Sequence, residues 1–344
     1  MRIFMNLNLA ELLLGNQKAE ADIKEELSIL VNDIVSRPVS SHIAAYILGG
    51  GFGRGEGSVI LRDERYTTSN DYDMFAIQVD ELSENDFSQM VQEIEEKYHL
   101  KFFGIDRMTR DHFLQIASSK TVSQADFDFM LGSKILWLNP VYKDDDLPSI
   151  FAHYGKEKRE ILLESAYRVL TTRFWCIVAL TNWEDLTSLY DLQYVEDAQF
   201  FYFQQVKLAT AIVDAVLIAE KRYDTPKFLE KLEVLKDTEF AKQQDIRLLV
   251  YLVREKIWNT NHFSLSIEER KELWNLYCSC VEFVMNFDKI RYAKFSIKEA
   301  LHRKYAAIRH KKFNCWALGD YEALRQLDIK KLKELQGKMR RMYA

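Results

Sequence analysis

The chain has 344 residues, of which 48% are hydrophobic and 29% charged, so it is long enough for two domains with buried cores. Apolar runs of about 18 residues are all interrupted by charges, and the N-terminal segment lacks a small-residue cleavage site, which argues against membrane and secreted classes. We therefore expect a cytoplasmic protein with no membrane partner. Residues 1–150 hold 14 Lys and Arg against 25 Asp and Glu, net −11, and the remainder holds 33 against 27, net +6.

The hydrophobic pattern predicts six successive features before residue 110. They are a helix, a buried strand, a glycine turn, a second strand, a second helix and a third strand. The first helix is predicted at residues 20–36, and the first strand with its glycine turn at 42–50. The second strand follows at 71–79, the second helix at 80–100 and the third strand at 101–108. The segment between the first two strands is expected to form a loop or a hairpin.

A domain boundary is predicted near Pro140, the acidic run 144–146 and Pro148. Beyond it Gly and Pro become rare, and apolar side chains recur at helical spacing. The helices are predicted at residues 156–181, 195–222, 226–236, 240–257, 266–286, 289–312 and 319–341. The fold class is therefore predicted to be α+β. A small mixed β-sheet with flanking helices occupies residues 1–148, and an all-α helical domain occupies residues 149–344.

The most informative segment is LGGGFGRGEGSVILRDERYTTSNDYDMF, residues 48–75. It does not match the GxGxxG dinucleotide fingerprint, and it is not a GxxxxGK[ST] phosphate loop, because Gly55 is followed by Glu56. Two carboxylates, Asp71 and Asp73, follow the glycines on the next predicted strand. Since side chains alternate along a strand, these two would project from the same face.

Paired carboxylates of this kind indicate a cation site. Two carboxylates held close together repel each other unless a cation lies between them. Hard oxygen ligands suit Mg²⁺, which binds few protein groups and completes its coordination with water and nucleotide phosphates. Glycines in the preceding turn would let the backbone approach those phosphates without a Cβ in the way.

With these residues the segment resembles the DNA polymerase β-like nucleotidyltransferase superfamily, over about residues 40–140. That superfamily has a hydrophobic strand ending in Gly-[Gly/Ser], a strand with [Asp/Glu]-x-[Asp/Glu], and a third acidic residue on a later strand. Leu48, Gly50 and Gly51 are similar to the first feature, and Asp71 and Asp73 to the second. The GFGRGE stretch that begins at Gly51 is similar to the GSxARGE variant of minimal nucleotidyltransferases.

The resemblance implies a third carboxylate, for which the sequence offers more than one candidate. Asp106 lies in FFGIDRM, on the strand predicted after the second helix. Asp126 and Asp128 also alternate with apolar residues in ADFDFM. Asp106 is favoured, because the later stretch is more typical of the segment that closes such a domain.

The implied activity is a Mg²⁺-dependent transfer of a nucleoside monophosphate from an NTP, expected to be ATP, to an acceptor, with release of pyrophosphate. The residues that the resemblance implies for two Mg²⁺ ions and for catalysis are Asp71, Asp73 and Asp106. Those that it implies for nucleotide binding are Gly50, Gly51, Arg54, Ser58 and Lys134. The acceptor could be a protein hydroxyl, a small-molecule alcohol or an RNA end. The alternative function is a catalytically inactive module that binds a nucleotide or a partner.

Overall fold

The computed structural model describes residues 12–13, 16–68, 72–100, 103–142, 146–188, 195–258, 265–292 and 321–343. The chain divides into two compact units. Unit 1 comprises residues 1–160 with the short segments 225–227 and 257–261, and unit 2 comprises the remainder. Unit 1 thus extends past residue 148, where the sequence pattern places the boundary.

Unit 1 combines a small sheet with helices, and a largely helical region follows it, which confirms the α+β class. The helices are α1 (Gln17–Ser36), α2 (Gly50–Arg54), α3 (Glu84–Tyr98), α4 (Arg110–Ser118), α5 (Gln124–Gly132) and α6 (Leu147–Tyr154). The strands are β1 (Ile43–Leu48), β2 (Val59–Arg62), β3 (Arg65–Thr68), β4 (Asp73–Gln78), β5 (Gly104–Thr109), β6 (Thr121–Val122), β7 (Lys134–Leu138) and β8 (Glu160–Ile161).

The main sheet has four strands in the order β5-β4-β1-β7. Strand β1 is antiparallel to β4 and to β7, whereas β4 and β5 are parallel, so the sheet is mixed. All six residues of β1 are buried, which explains why this central strand appears in the sequence as a continuous apolar run. The three strands predicted from the sequence form as β1, β4 and β5, and β7 was not predicted.

The two faces of the sheet pack against different sets of helices, and the second face is only partly covered. On the first face, Leu48 and Met74 belong to one core cluster with Leu27 of α1 and Met90 of α3. The opposite face carries a cluster of four phenylalanine rings, with centroid distances that begin at 4.7 Å, formed by Phe75, Phe113, Phe129 and Phe151. These rings come from β4, α4, α5 and α6, so the two faces are covered by different segments of unit 1.

Local signals explain where the first two long helices begin. The Asn16 side chain accepts a hydrogen bond from the Ala19 amide at 3.0 Å, and this cap starts α1. Ile23, Leu27 and Ile34 are fully buried along one side of α1. Helix α3 likewise begins after Ser83, whose hydroxyl accepts from a backbone amide of its first turn. The helices predicted at 20–36 and 80–100 are thereby confirmed.

Residues between α2 and β4 form a β-hairpin, one of the two forms predicted for this segment. Strands β2 and β3 pair in an antiparallel register that runs from Val59 opposite Thr68 to Arg62 opposite Arg65. The two turn residues, Asp63 and Glu64, both have positive φ, 45° and 67°. That conformation is typical of the tight turns whose twist matches paired strands.

Unit 2 is helical apart from one minimal hairpin among its described residues, so it is not strictly all-α. Its helices are α7 (Leu163–Leu180), α8 (Val195–Ala219), α9 (Phe228–Leu235), α10 (Glu239–Gln243), α11 (Arg247–Trp258), α12 (Ile267–Tyr292), α13 (Tyr321–Arg325) and α14 (Ile329–Tyr343). The two-residue strands β9 (Thr181–Asn182) and β10 (Thr187–Ser188) pair with each other. The single helix predicted at 240–257 is two helices, α10 and α11, and most of the one predicted at 289–312 lies outside the described residues.

One segment of α8, Phe201–Ala219, is long and apolar enough to cross a membrane by length and composition. In this structure 83% of its apolar window is buried. The central helix of a folded helical bundle has the same properties, so this segment is weak support for a membrane span and leaves membrane association open.

Candidate functional site

The glycine turn after β1 lies directly against the first residue of β4. The Gly49 amide donates to the Asp73 carbonyl oxygen at 2.8 Å, which ties the turn to the start of that strand. Gly50 has a φ of +58°, and a Cβ built on it would lie 1.7 Å from Asp73 Oδ2. Glycine is therefore required at position 50 for conformation and for space, and the Asp73 carboxylate lies directly over the turn.

Asp106 lies on the strand next to Asp73 and on the same face of the sheet. In the parallel pairing of β4 and β5, Asp73 is opposite Gly104 and Phe75 is opposite Asp106. Asp73 and Asp106 are thus separated by one strand spacing and a two-residue step, about 8 Å between Cα atoms. Both side chains are exposed, and neither carboxylate has a hydrogen-bond or ion-pair partner among the described residues.

Asp71, the first residue of the acidic pair, lies outside the described residues. Its predicted place on the same face as Asp73 therefore stays a prediction. Among the residues that the structure does describe, no group of three or more His, Cys, Asp or Glu side chains is arranged to hold a metal ion. Asp73 and Asp106 are thus the two described members of the predicted set of three carboxylates.

The alternative third carboxylates, Asp126 and Asp128, lie on a helix. Their alternation with apolar residues does not mark a strand, because both residues belong to α5. The Ser123 hydroxyl donates to Asp126 Oδ2 at 2.7 Å and accepts from the Asp126 amide, which is a cap of the first turn. The Gln124 amide group donates to Asp128 at 2.6 Å. Unlike Asp106, neither residue lies on the strand beside β4.

Arg54 is held within the protein next to an acidic residue. Its guanidinium Nε lies 3.5 Å from the Glu56 carboxylate, and the side chains are only 10% and 3% exposed. A Cβ on Gly132 would lie 2.7 Å from Arg54 Cγ, so a glycine at the end of α5 makes room for this side chain. Gly51 is similarly crowded, because a Cβ on it would lie 3.0 Å from the Glu56 carbonyl oxygen. The loop after β1 is therefore compact and packs closely against α5.

The other two residues predicted to bind the nucleotide lie in different places. Ser58 is half-buried in the segment between α2 and β2. Lys134, the first residue of β7, pairs with Leu48 of β1. Paired residues share a face, so Lys134 belongs to the row that faces α1 and α3, opposite to the row of Asp73 and Asp106. The register does not bring Lys134 together with the two acids.

Ser133 is a polar group at the site that the sequence analysis did not single out. Its Oγ atom is buried without a hydrogen-bond partner among the described residues. It lies 3.2 Å from the position that a Cβ of Gly49 would occupy, beside the Phe75 ring. No local signal in the sequence marks this serine, because its position depends on the pairing of β7 with β1.

No protein-family model, no curated protein and no solved structure matches this chain. The chemistry of the site is therefore indicated by its own geometry. That geometry consists of a glycine turn under an exposed carboxylate and a second exposed carboxylate on the next strand. Such an arrangement can bind a hard cation together with the phosphates of a ligand.

Proposed function

We propose that unit 1 is a Mg²⁺-dependent nucleotidyltransferase domain that transfers a nucleoside monophosphate from an NTP, expected to be ATP, to an acceptor hydroxyl. The observation that carries the proposal is the contact of Gly50 with the Asp73 carboxylate, with Asp106 one strand away on the same face. A glycine backbone next to one exposed carboxylate, with a second on the neighbouring strand, supports binding of a cation together with phosphate groups. The resemblance of residues 40–140 to the polymerase β-like superfamily supports the same proposal.

The chemistry of the donor set fits magnesium. Asp73 and Asp106 offer exposed carboxylate oxygens with no described protein partner, and Asp71 is two residues away from Asp73 in sequence. Acidic groups left uncompensated on one face are expected to be paired by a cation. When bound there, Mg²⁺ would neutralise the phosphate charge and lower the pKa of the acceptor hydroxyl.

The residues of the chain would bind and orient the reactants. The Gly50 and Gly51 backbone would approach the phosphates, and the Ser58 hydroxyl would donate to them. Asp106 would accept the proton of the acceptor hydroxyl as its oxygen attacks the α-phosphorus and pyrophosphate leaves. Arg54 would contribute positive charge close to the loop, partly offset by the Glu56 carboxylate beside its guanidinium. The acceptor is a protein hydroxyl, a small-molecule alcohol or an RNA end.

The first test is calorimetric titration of each Mg·NTP into the wild-type protein and into Asp73→Asn and Asp106→Asn. We expect binding that requires Mg²⁺ and is weakened at least about tenfold in both variants, equivalent to about 1.4 kcal/mol. Asp63→Asn is the matched control, because Asp63 is an exposed acid at a hairpin turn and asparagine tolerates its positive φ. Binding that Asp73→Asn leaves unchanged would contradict the proposed site.

Turnover is tested separately by the release of pyrophosphate from the preferred NTP in the presence of candidate acceptors. If unit 1 is an enzyme, we expect the wild-type protein to release pyrophosphate in the presence of Mg²⁺. We expect Asp106→Asn to abolish that release. Magnesium-dependent binding of an NTP, with no release of pyrophosphate in the presence of any acceptor class, would instead support the inactive nucleotide-binding module.

A further inference from the structure

Tyr72 lies between the two predicted metal-binding acids, and its side chain points away from the face that carries Asp73. It is 2% exposed and belongs to the core cluster on the side of α1 and α3. Its ring packs against Phe52 of α2 at a centroid distance of 5.0 Å. Phe52 in turn lies against Gly57, where a Cβ would come within 2.2 Å of the Phe52 ring. Tyr72 thus contacts the helix that begins at Gly50.

The Tyr72 hydroxyl is bonded to a carboxylate on α1. It donates to Glu26 Oε1 at 2.7 Å. Glu26 has no other hydrogen-bond or ion-pair partner in the described part of the chain.

Glu26, which accepts this hydrogen bond, is itself held in place by the packing of α1. Glu26 is half-buried and is followed in α1 by Leu27, which is fully buried in the core. The hydrogen bond therefore joins a well-packed helix to the residue just before β4. One residue fixes the start of β4 against both α1 and α2, and Asp71 and Asp73 are its immediate neighbours in sequence.

We propose that Tyr72, anchored by Glu26, is a positioning residue that holds Asp73, the first residue of β4, in the geometry required for binding a divalent cation. The inference rests on the proposed function, because it assumes that Asp73 binds the metal. Tyr72 touches no reactant, and its effect passes through the backbone that it fixes. Groups that orient metal ligands through direct hydrogen bonds commonly change metal affinity by about tenfold or more when they are removed, and we expect an effect of that order here.

The test measures Mn²⁺ binding by electron paramagnetic resonance, which needs no turnover. We expect Tyr72→Phe and Glu26→Ala each to weaken Mn²⁺ binding about tenfold, and the double variant to be no weaker than either single variant. Glu26→Gln keeps an oxygen that accepts the Tyr72 hydrogen bond and should bind Mn²⁺ within about twofold of wild type.

The matched control is Tyr46→Phe. Tyr46 is fully buried on β1, and its hydroxyl is 2.8 Å from Ser40 Oγ, so this variant also loses a buried tyrosine hydrogen bond. Its Mn²⁺ affinity should equal that of wild type. Equal weakening in Tyr46→Phe, or none in Tyr72→Phe, would overturn the positioning role.

Asp73→Asn separates failure of this inference from failure of the proposed function. If wild type binds no Mn²⁺, or if Asp73→Asn binds it normally, the metal site is wrong and the positioning role is overturned with it. If Asp73→Asn loses Mn²⁺ but Tyr72→Phe does not, only the positioning role is wrong. Circular dichroism of each variant establishes that the fold is retained.

Discussion

At the scale of a single residue, Gly50 satisfies two constraints, one on its backbone conformation and one on the space around it. Its φ of +58° strains any other residue, and an added Cβ would collide with Asp73 Oδ2. We predict that Gly50→Ala lowers the free energy of unfolding by about 1–3 kcal/mol and abolishes Mg·NTP binding, because the carboxylate must move. Urea denaturation and calorimetry measure the two effects.

Gly104 provides the control for that substitution. It lies opposite Asp73 on β5, has no positive φ, and a Cβ there would meet nothing within 4 Å. Gly104→Ala should therefore keep or slightly raise stability, by up to about 1 kcal/mol. A Gly50→Ala protein as stable as Gly104→Ala would show that the turn does not need glycine.

Helix α14 illustrates how a single side chain joins two elements of unit 2. The Gln336 side-chain amide donates to the carbonyl oxygens of Val178, Ala179 and Thr181 at 3.0, 3.1 and 3.1 Å. These carbonyls lie at or just beyond the C-terminal end of α7, where backbone acceptors lack partners within the helix. Leu332, fully buried, lies on the same helix as Gln336.

Removal of this amide should destabilise unit 2. Gln336→Ala removes a donor shared by three carbonyls, of which Val178 keeps the indole N–H of Trp183 at 3.2 Å. We expect a loss of about 1–3 kcal/mol in the free energy of unfolding. Gln326→Ala, at an exposed position between α13 and α14, should change stability by less than about 0.5 kcal/mol. The two variants are compared by urea denaturation, and equal effects would rule out a specific role for Gln336.

For the whole molecule, each unit holds a carboxylate whose ionised form is favoured by folding. Burial alone would raise the pKa of Asp33 in unit 1, but hydrogen bonds from Lys97 and Tyr98 outweigh it and lower that pKa. In unit 2 the hydrogen bond from Arg325, opposed by burial, lowers the pKa of Glu282. Both groups bind protons more readily in the unfolded chain than in the folded one.

This difference sets the direction of the pH dependence. A lowered folded-state pKa contributes stability that is complete above the unfolded pKa and is lost as the pH falls through the folded pKa. Stability should therefore fall below about pH 4. Asp33→Asn and Glu282→Gln should be less stable than wild type at neutral pH and less sensitive to acid. Urea denaturation across a pH series measures both, and unchanged slopes in the variants would contradict the assignment.

Several features of unit 1 could be predicted because they depend on local pattern. The continuous apolar run of β1 and the apolar repeat of α1 each indicate their own structure. Helix α5 could not be predicted in the same way, because its short apolar segment also alternates as a strand does. In the structure the segment is a helix, and hydrogen bonds between Ser123 and Asp126 cap its first turn.

The sequence by itself determined the α+β class, the order of the first strands and helices, and the presence of a glycine turn followed by acidic residues. Only the tertiary structure decided that Gly50 lies under Asp73, that Asp106 shares its face and that Lys134 does not. The same holds for the hydrogen bond of Tyr72 to Glu26, which are 46 residues apart. Periodicity encodes which face of its own element a residue occupies, whereas these relations depend on strand register and on packing between distant segments.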